Sequence, residues 1–96
     1  MKKVFQLKSG SKWVDGEHVS ERLCAFIEPS GNKIKLGYKK ELNGEIVSTQ
    51  SKVYNADSLR NKLQDVKFYD NEYMITFRFS FIYRTKSLVM VIIQNE

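Results

Sequence analysis

The 96-residue chain has one cysteine, Cys24, and one histidine, His18. A lone cysteine excludes an internal disulfide, and a reducing compartment, the cytoplasm, is the simplest setting for it. One Cys and one His also cannot build a structural zinc site, which takes four such ligands. As a nucleophile and base the two are badly spaced. On one strand they stand about 20 Å apart, and on one helix about 9 Å apart along the axis and on different faces. Cys24 reads as a small core residue, and His18, beside a turn, as exposed. Met1-Lys2-Lys3 resembles the charged start of an export signal, but Val4-Phe5-Gln6-Leu7-Lys8 is too short and polar for the apolar part. The apolar run Leu88–Ile93 is too short to span a bilayer. No glycine-rich phosphate cradle occurs. The carboxylate pairs Glu41 with Glu45 and Asp70 with Glu72 fall at hairpin tips, whereas acid–base work needs a cleft and a shifted pKa. The expectation is a protein without catalysis, metal or cofactor.

What is present is charge and β pattern. The net charge is +5 and the pI near 9.4, which favours acidic partners. Charged residues at 28% and hydrophobic residues at 42% fit one ordinary folded domain spanning residues 1–96. Tyr73, Ile75, Phe77, Phe79, Phe81 and Tyr83 occupy every second position, so one face of a strand is almost wholly aromatic. Leu88–Ile93 is apolar on both faces, as in a strand covered on both sides. Together these form a closing hairpin that supplies much of the core. An aromatic platform for stacking bases is the weaker reading, because so large an exposed patch is unusual on a soluble protein. If Arg84 and Ser87 flank the turn, Phe81 opposes Met90 and Phe79 opposes Ile92, although the two apolar faces leave this register open.

In chain order, Lys3–Lys8 reads as a strand broken by Ser9-Gly10-Ser11. Asp15-Gly16 and Asn43-Gly44 are hairpin turns of the type that needs positive φ at both central positions. Val19–Glu28 fits a helix or a strand. The turn Pro29-Ser30-Gly31-Asn32 leading into an alternating segment favours the strand. Asn55–Ser58 offers capping oxygens before Leu59, Leu63 and Val66, which predicts a helix of two to three turns. Val66–Tyr69 is extended again, and an Asp70-Asn71 turn places Phe68 opposite Tyr73. Trp13, near a tight turn, reads as a cap on the core. A strand meander, one short helix and two or three closing strands make an α+β, mainly antiparallel chain. Over about Leu23–Gln94 that outline resembles an OB-fold, a small partly closed barrel; other small barrels and α+β sheets fit it equally well.

The Asn43-Gly44 turn, counted outward without interruption, pairs Lys35 with Lys52, Lys33 with Tyr54 and Gly37 with Gln50. Lys33, Lys35, Lys39, Lys52, Tyr54 and Gln50 then share the solvent face of one hairpin. Such a face can be merely solvated, meet an acidic protein, or track a phosphate backbone with Tyr54 as a stacking ring. Lysine without arginine argues against base-specific readout. The expectation is a small basic protein-interaction factor, such as an inhibitor, immunity or accessory protein. A non-specific single-stranded nucleic-acid binder is the alternative, and the oligomeric state stays open.

Overall fold

The computed structural model describes residues 2–59 and 64–95. These residues form a small, mostly antiparallel β protein. Its strands are β1 (Lys3–Val14), β2 (Glu17–Ser30), β3 (Lys33–Leu42), β4 (Glu45–Asn55), β5 (Gln64–Tyr69), β6 (Met74–Ile82) and β7 (Ser87–Asn95). They divide into a four-stranded sheet, β1-β2-β3-β4, and a three-stranded sheet, β5-β6-β7. Both are meanders joined by short turns, so every paired neighbour is antiparallel. The expected partly closed barrel is replaced by these two sheets packed face to face.

The turn chemistry explains the long meander. Asp15 and Gly16 have φ of 51° and 78°, and Asn43 and Gly44 have 51° and 84°. These are the two positive values a type I′ hairpin requires. At the β2–β3 turn only Gly31 is positive, at 59°, as in type II′, and Pro29 stays within β2 opposite Ile34. The segment 19–28 is strand throughout, and its alternation shows in burial: Val19, Glu21, Leu23 and Ala25 all point to the inner face and are buried.

The core lies between the sheets. Leu23, Ala25, Ile34, Leu36 and Tyr38 of the large sheet meet Val66, Phe68, Ile75, Phe77 and Phe79 of the small one. The predicted aromatic face is therefore core from Tyr73 to Phe79, whereas Phe81 is half-buried and Tyr83, beyond the end of β6, is 72% exposed. Tyr38, Phe68 and Phe77 stack edge to face, with ring centroids 6.2 and 5.7 Å apart, worth roughly 0.5–1.5 kcal/mol per pair beyond area burial. The Tyr38 hydroxyl is paired with Ser48 Oγ at 2.9 Å, so burying it leaves no orphan polar atom.

Several expected details are corrected. Ser9-Gly10-Ser11 does not break β1. The irregularity is a register shift between Gln6 and Lys8, with Leu7 left unpaired and packed on the core. This bulge exchanges the faces of the strand, so Lys8 and Lys12 point inward. The helix predicted from Leu59, Leu63 and Val66 is a single 3-10 turn, Ala56–Leu59, and Val66 belongs to β5; Leu63 lies outside the described residues. Leu59 is fully buried, so its hydrophobicity marked the core and not a helical period. The α component of the expected fold is thus absent among the described residues. Both closing loops are four residues long instead of two. Phe68 opposes Ile75 and not Tyr73, and Phe81 opposes Leu88 and not Met90. A two-residue displacement keeps every side chain on its expected face.

Candidate functional site on the outer face of the four-stranded sheet

The β3–β4 register differs from expectation by one residue. Leu42 opposes Glu45 and Glu41 opposes Ile46, but Lys40 then opposes Ser48, leaving Val47 as an extra residue in β4. Beyond this bulge Leu36 faces Lys52, Tyr38 faces Gln50 and Ile34 faces Tyr54. The bulge has evident local gains. It puts the Tyr54 ring on the core in place of Val53 and gives the buried Tyr38 hydroxyl its partner Ser48.

The predicted six-residue face is accordingly split. Lys33, Lys35 and Lys39 lie on the outer face, whereas Gln50, Lys52 and Tyr54 point to the inner one. Gln50 Nε2 donates to the Tyr69 carbonyl at 3.2 Å, and Lys52 Nζ to the Lys67 carbonyl at 3.4 Å. Lys52 Nζ also stands 5.3 Å from the centre of the Phe68 ring. These two side chains cover the open edge of β5 and stitch the sheets together along one side. The direct Lys35–Lys52 pairing does not occur; Lys35 faces Val53 and, on the other side, Glu28.

The outer face that remains is built on Gly37. A Cβ there would lie 2.2 Å from the Gln50 carbonyl oxygen and 2.6 Å from the tip of the Phe26 ring. The Phe26 ring thus lies directly over the glycine, a close approach that only glycine permits. Lys2 Nζ sits 4.7 Å above the same ring, a cation–π contact. Around this centre stand Lys33, Lys35 and Lys39, with Val4 and Val53 at 50% and 58% exposure. Glu28, Ser30, Lys33, Lys35 and Val53 bound a shallow depression of about 230 Å³. Further along, Glu41 is claimed by Arg22 at 3.0 Å and Lys39 at 3.3 Å, and the Arg22 contact foremost holds its carboxyl below the usual range. Lys2 and Arg22 were missed by the sequence reasoning. Arg22 lies on the same face of β2 as Phe26, a period-2 relation visible once 19–28 is taken as strand.

A larger concavity, about 520 Å³, opens where β1 and β3 meet the β5–β6 loop, among Lys12, Lys40, Tyr38, Ser48, Tyr69 and Glu72. Lys12 Nζ lies 2.9 Å from Glu21 and 3.0 Å from Glu72, and Lys40 Nζ lies 3.2 Å from both Asp70 and Glu72. The Tyr73 hydroxyl donates to Glu21 at 2.9 Å. Asp70 accepts bonds from the backbone N–H groups of Glu72 and Tyr73, both at 2.8 Å. The Asp70–Glu72 pair does lie in the β5–β6 hairpin loop, with Glu72 exposed, but both carboxylates are engaged by lysines of the large sheet, and Asp70 is half-buried.

The charges there reinforce one another. Hydrogen bonding to Glu21 and then Glu72 pushes Lys12 up to about 12. Burial pulls Lys40 down, but Asp70 and Glu72 outweigh it and leave it above its ordinary value. Burial raises Asp70, yet the two backbone donors and Lys40 hold it below the usual range; Lys12 foremost does the same for Glu72. General acid–base chemistry needs a group poised near the working pH. These groups are driven away from it, and the cluster acts as an ionic clasp between the sheets.

Three remaining residues are quickly placed. Trp13 is 72% exposed, not a core cap, with its ring tilted against exposed His18 at 5.2 Å. Cys24 is buried in mid-sheet between Gln6 and Lys39, six positions along β2 from His18, so the two form no dyad. Among the described residues no group of three or more His, Cys, Asp or Glu side chains could hold a metal ion, and no helix is long and apolar enough to cross a membrane. Comparison of the chain with protein-family models, curated proteins and solved structures finds no match.

Proposed function

We propose that the chain is a non-enzymatic protein-binding module that meets an acidic partner through the outer face of its four-stranded sheet, in the cytoplasm. The observation that carries this reading is the grouping of Lys2, Lys33, Lys35 and Lys39 around the exposed Val4 and Val53 on the outer face of the four-stranded sheet, with the buried Phe26 ring beneath Lys2. Among the described residues, Lys2, Arg22, Lys33, Lys35 and Lys39 stand against Glu28 and Glu41 on that face, an excess of three positive charges. Apolar side chains ringed by cations suit an acidic protein surface with its own apolar centre. Single-stranded nucleic acid is the less favoured partner. Its stacking ring, Tyr54, points inward, and the ring left among the lysines, Phe26, is only 6% exposed.

The test is affinity purification of the tagged chain from its native cells, beside a Lys33→Glu, Lys35→Glu variant. One acidic protein in stoichiometric amount, lost in the variant, is the expected result. A stoichiometric partner retained by the variant removes this face from the account. Salt-sensitive binding of a labelled single-stranded oligonucleotide, with no protein partner, selects nucleic acid instead.

A further inference from the structure

The two lateral seams of the sandwich are not alike. Along one, Gln50 and Lys52 of β4 cap the carbonyls at the edge of β5. Along the other, β1 and β7 share no ladder, and Lys3, Phe5, Ile27, Pro29 and Met90 bound an apolar pocket of about 340 Å³. Among the described residues, no backbone hydrogen bond reaches β7 from anything but β6.

Edge strands invite pairing unless something blunts them. Here three of the four edges are blunted. β1 carries Lys3, Lys8 and Lys12 and a register shift. β4 carries Glu45 and Lys52, and a bulge at Val47. β5 has six residues with Asp65 and Lys67 among them, and its edge is capped. β7 has no such device. Its nine residues, Ser-Leu-Val-Met-Val-Ile-Ile-Gln-Asn, include no charge, proline or glycine, and its pairing to β6 runs without a shift. At ~3.3 Å per residue this edge is about 30 Å long. Val89 and Val91 stand 37% and 52% exposed on its outer face, beside Ile82 of β6 at 44%.

We infer that β7 is a self-association edge, on which the β7 of a second copy pairs antiparallel about a two-fold axis, joining two three-stranded sheets into one of six. A second copy fits this edge for an electrostatic reason. Two chains of net charge +5 repel, and β7 is the edge at which they meet without placing like charges opposite each other. Antiparallel pairing of one strand with itself is self-complementary, as a two-fold interface must be. Val89 and Val91 of each copy then extend the apolar outer strip of the other. This interface is separate from the lysine face, so either proposal stands if the other fails.

Sedimentation velocity over a micromolar to sub-millimolar series tests it. The wild type is expected to move from the 11.2 kDa monomer to a species of twice that mass. The Val89→Lys, Val91→Lys variant is expected to stay monomeric with an unchanged far-UV spectrum, and Ile82→Lys, which leaves the edge alone, to dimerise as before. A wild type that remains monomeric throughout, or a folded double-lysine variant that still dimerises, overturns the inference. Should the double variant fail to fold, amide exchange in the wild type decides. Protection of β7 amides that rises with protein concentration supports the dimer, and protection independent of concentration refutes it.

Discussion

At the residue scale, Gly37 and Lys52 carry most of what distinguishes this fold from a generic meander. Gly37 is the floor on which Phe26 rests, and an added methyl would overlap both that ring and the Gln50 carbonyl. Gly37→Ala should cost about 1–3 kcal/mol, in the range of overpacked cores, and lower the melting temperature by several degrees. A thermal melt unchanged within error would show that the ring does not lie there. Lys52 and Lys33 form a second contrast: both are exposed, but the bulge turns Lys52 onto the edge of β5, where it meets the Lys67 carbonyl and the Phe68 ring, and leaves Lys33 on the outer face. Lys52→Glu loses its contacts to the Lys67 carbonyl and Phe68 ring, and should cost about 1–2 kcal/mol in urea unfolding. Lys33→Glu, with no carboxylate opposite it, should stay within about 0.5 kcal/mol of wild type. Equal effects would favour the uninterrupted pairing that the sequence suggests.

At the element scale, what could be read in advance depended on parity. The aromatic alternation of β6, the type I′ turns at Asp15-Gly16 and Asn43-Gly44, and the strand at 19–28 were legible because each rests on local chemistry. Loop-length errors in the closing hairpins displaced Phe68 and Phe81 by two positions and left their faces intact. The bulges at Leu7 and Val47 displaced pairing by one. That single residue moved Lys8 and Lys12, and then Gln50, Lys52 and Tyr54, to the inner face. No turn residue marks either bulge; what selects the one in β4 is tertiary, the Tyr54 ring on the core and Ser48 under Tyr38. The bulge in β1 adds Lys12 to the ionic clasp, while Lys40 reaches it by the plain alternation that puts it on the inner face of β3 with Leu36 and Tyr38. The pH behaviour of the clasp follows from the shifts. Asp70 and Glu72 are lowered in the folded state, so their contribution is present above the ordinary carboxylate pKa near 4 and is lost as pH falls through their folded values. Lys12 is raised to about 12, so its contribution is full below the ordinary lysine value near 10.4 and is lost as pH rises through the folded one. The urea midpoint should be level from about pH 5 to about pH 10 and fall on both sides. Lys12→Met should lower the plateau and flatten the alkaline fall, and an unchanged alkaline limb would contradict the clasp.

At the scale of the whole molecule, shape and charge are unevenly distributed. The dimensions are 53 × 24 × 19 Å and the radius of gyration is 15.2 Å, against roughly 12–13 Å for a compact chain of this length. Strands of 10 to 14 residues in the large sheet outrun the 6 to 9 of the small one, so the large sheet offers a long outer surface. A long basic surface with only a shallow depression of about 230 Å³ among its lysines suits a macromolecular partner better than a small molecule. The most direct test is residue-resolved. Isotope-labelled protein is titrated with a glutamate-rich peptide at low salt, and backbone amide shifts are followed by NMR. The account predicts shifts at Lys33, Lys35, Lys39, Val53 and Val4, with Gln50, Lys52 and Tyr54 little moved and the effect gone in Lys33→Glu, Lys35→Glu. Shifts centred on the inward-facing residues or on the ionic clasp, or none at all, would contradict it.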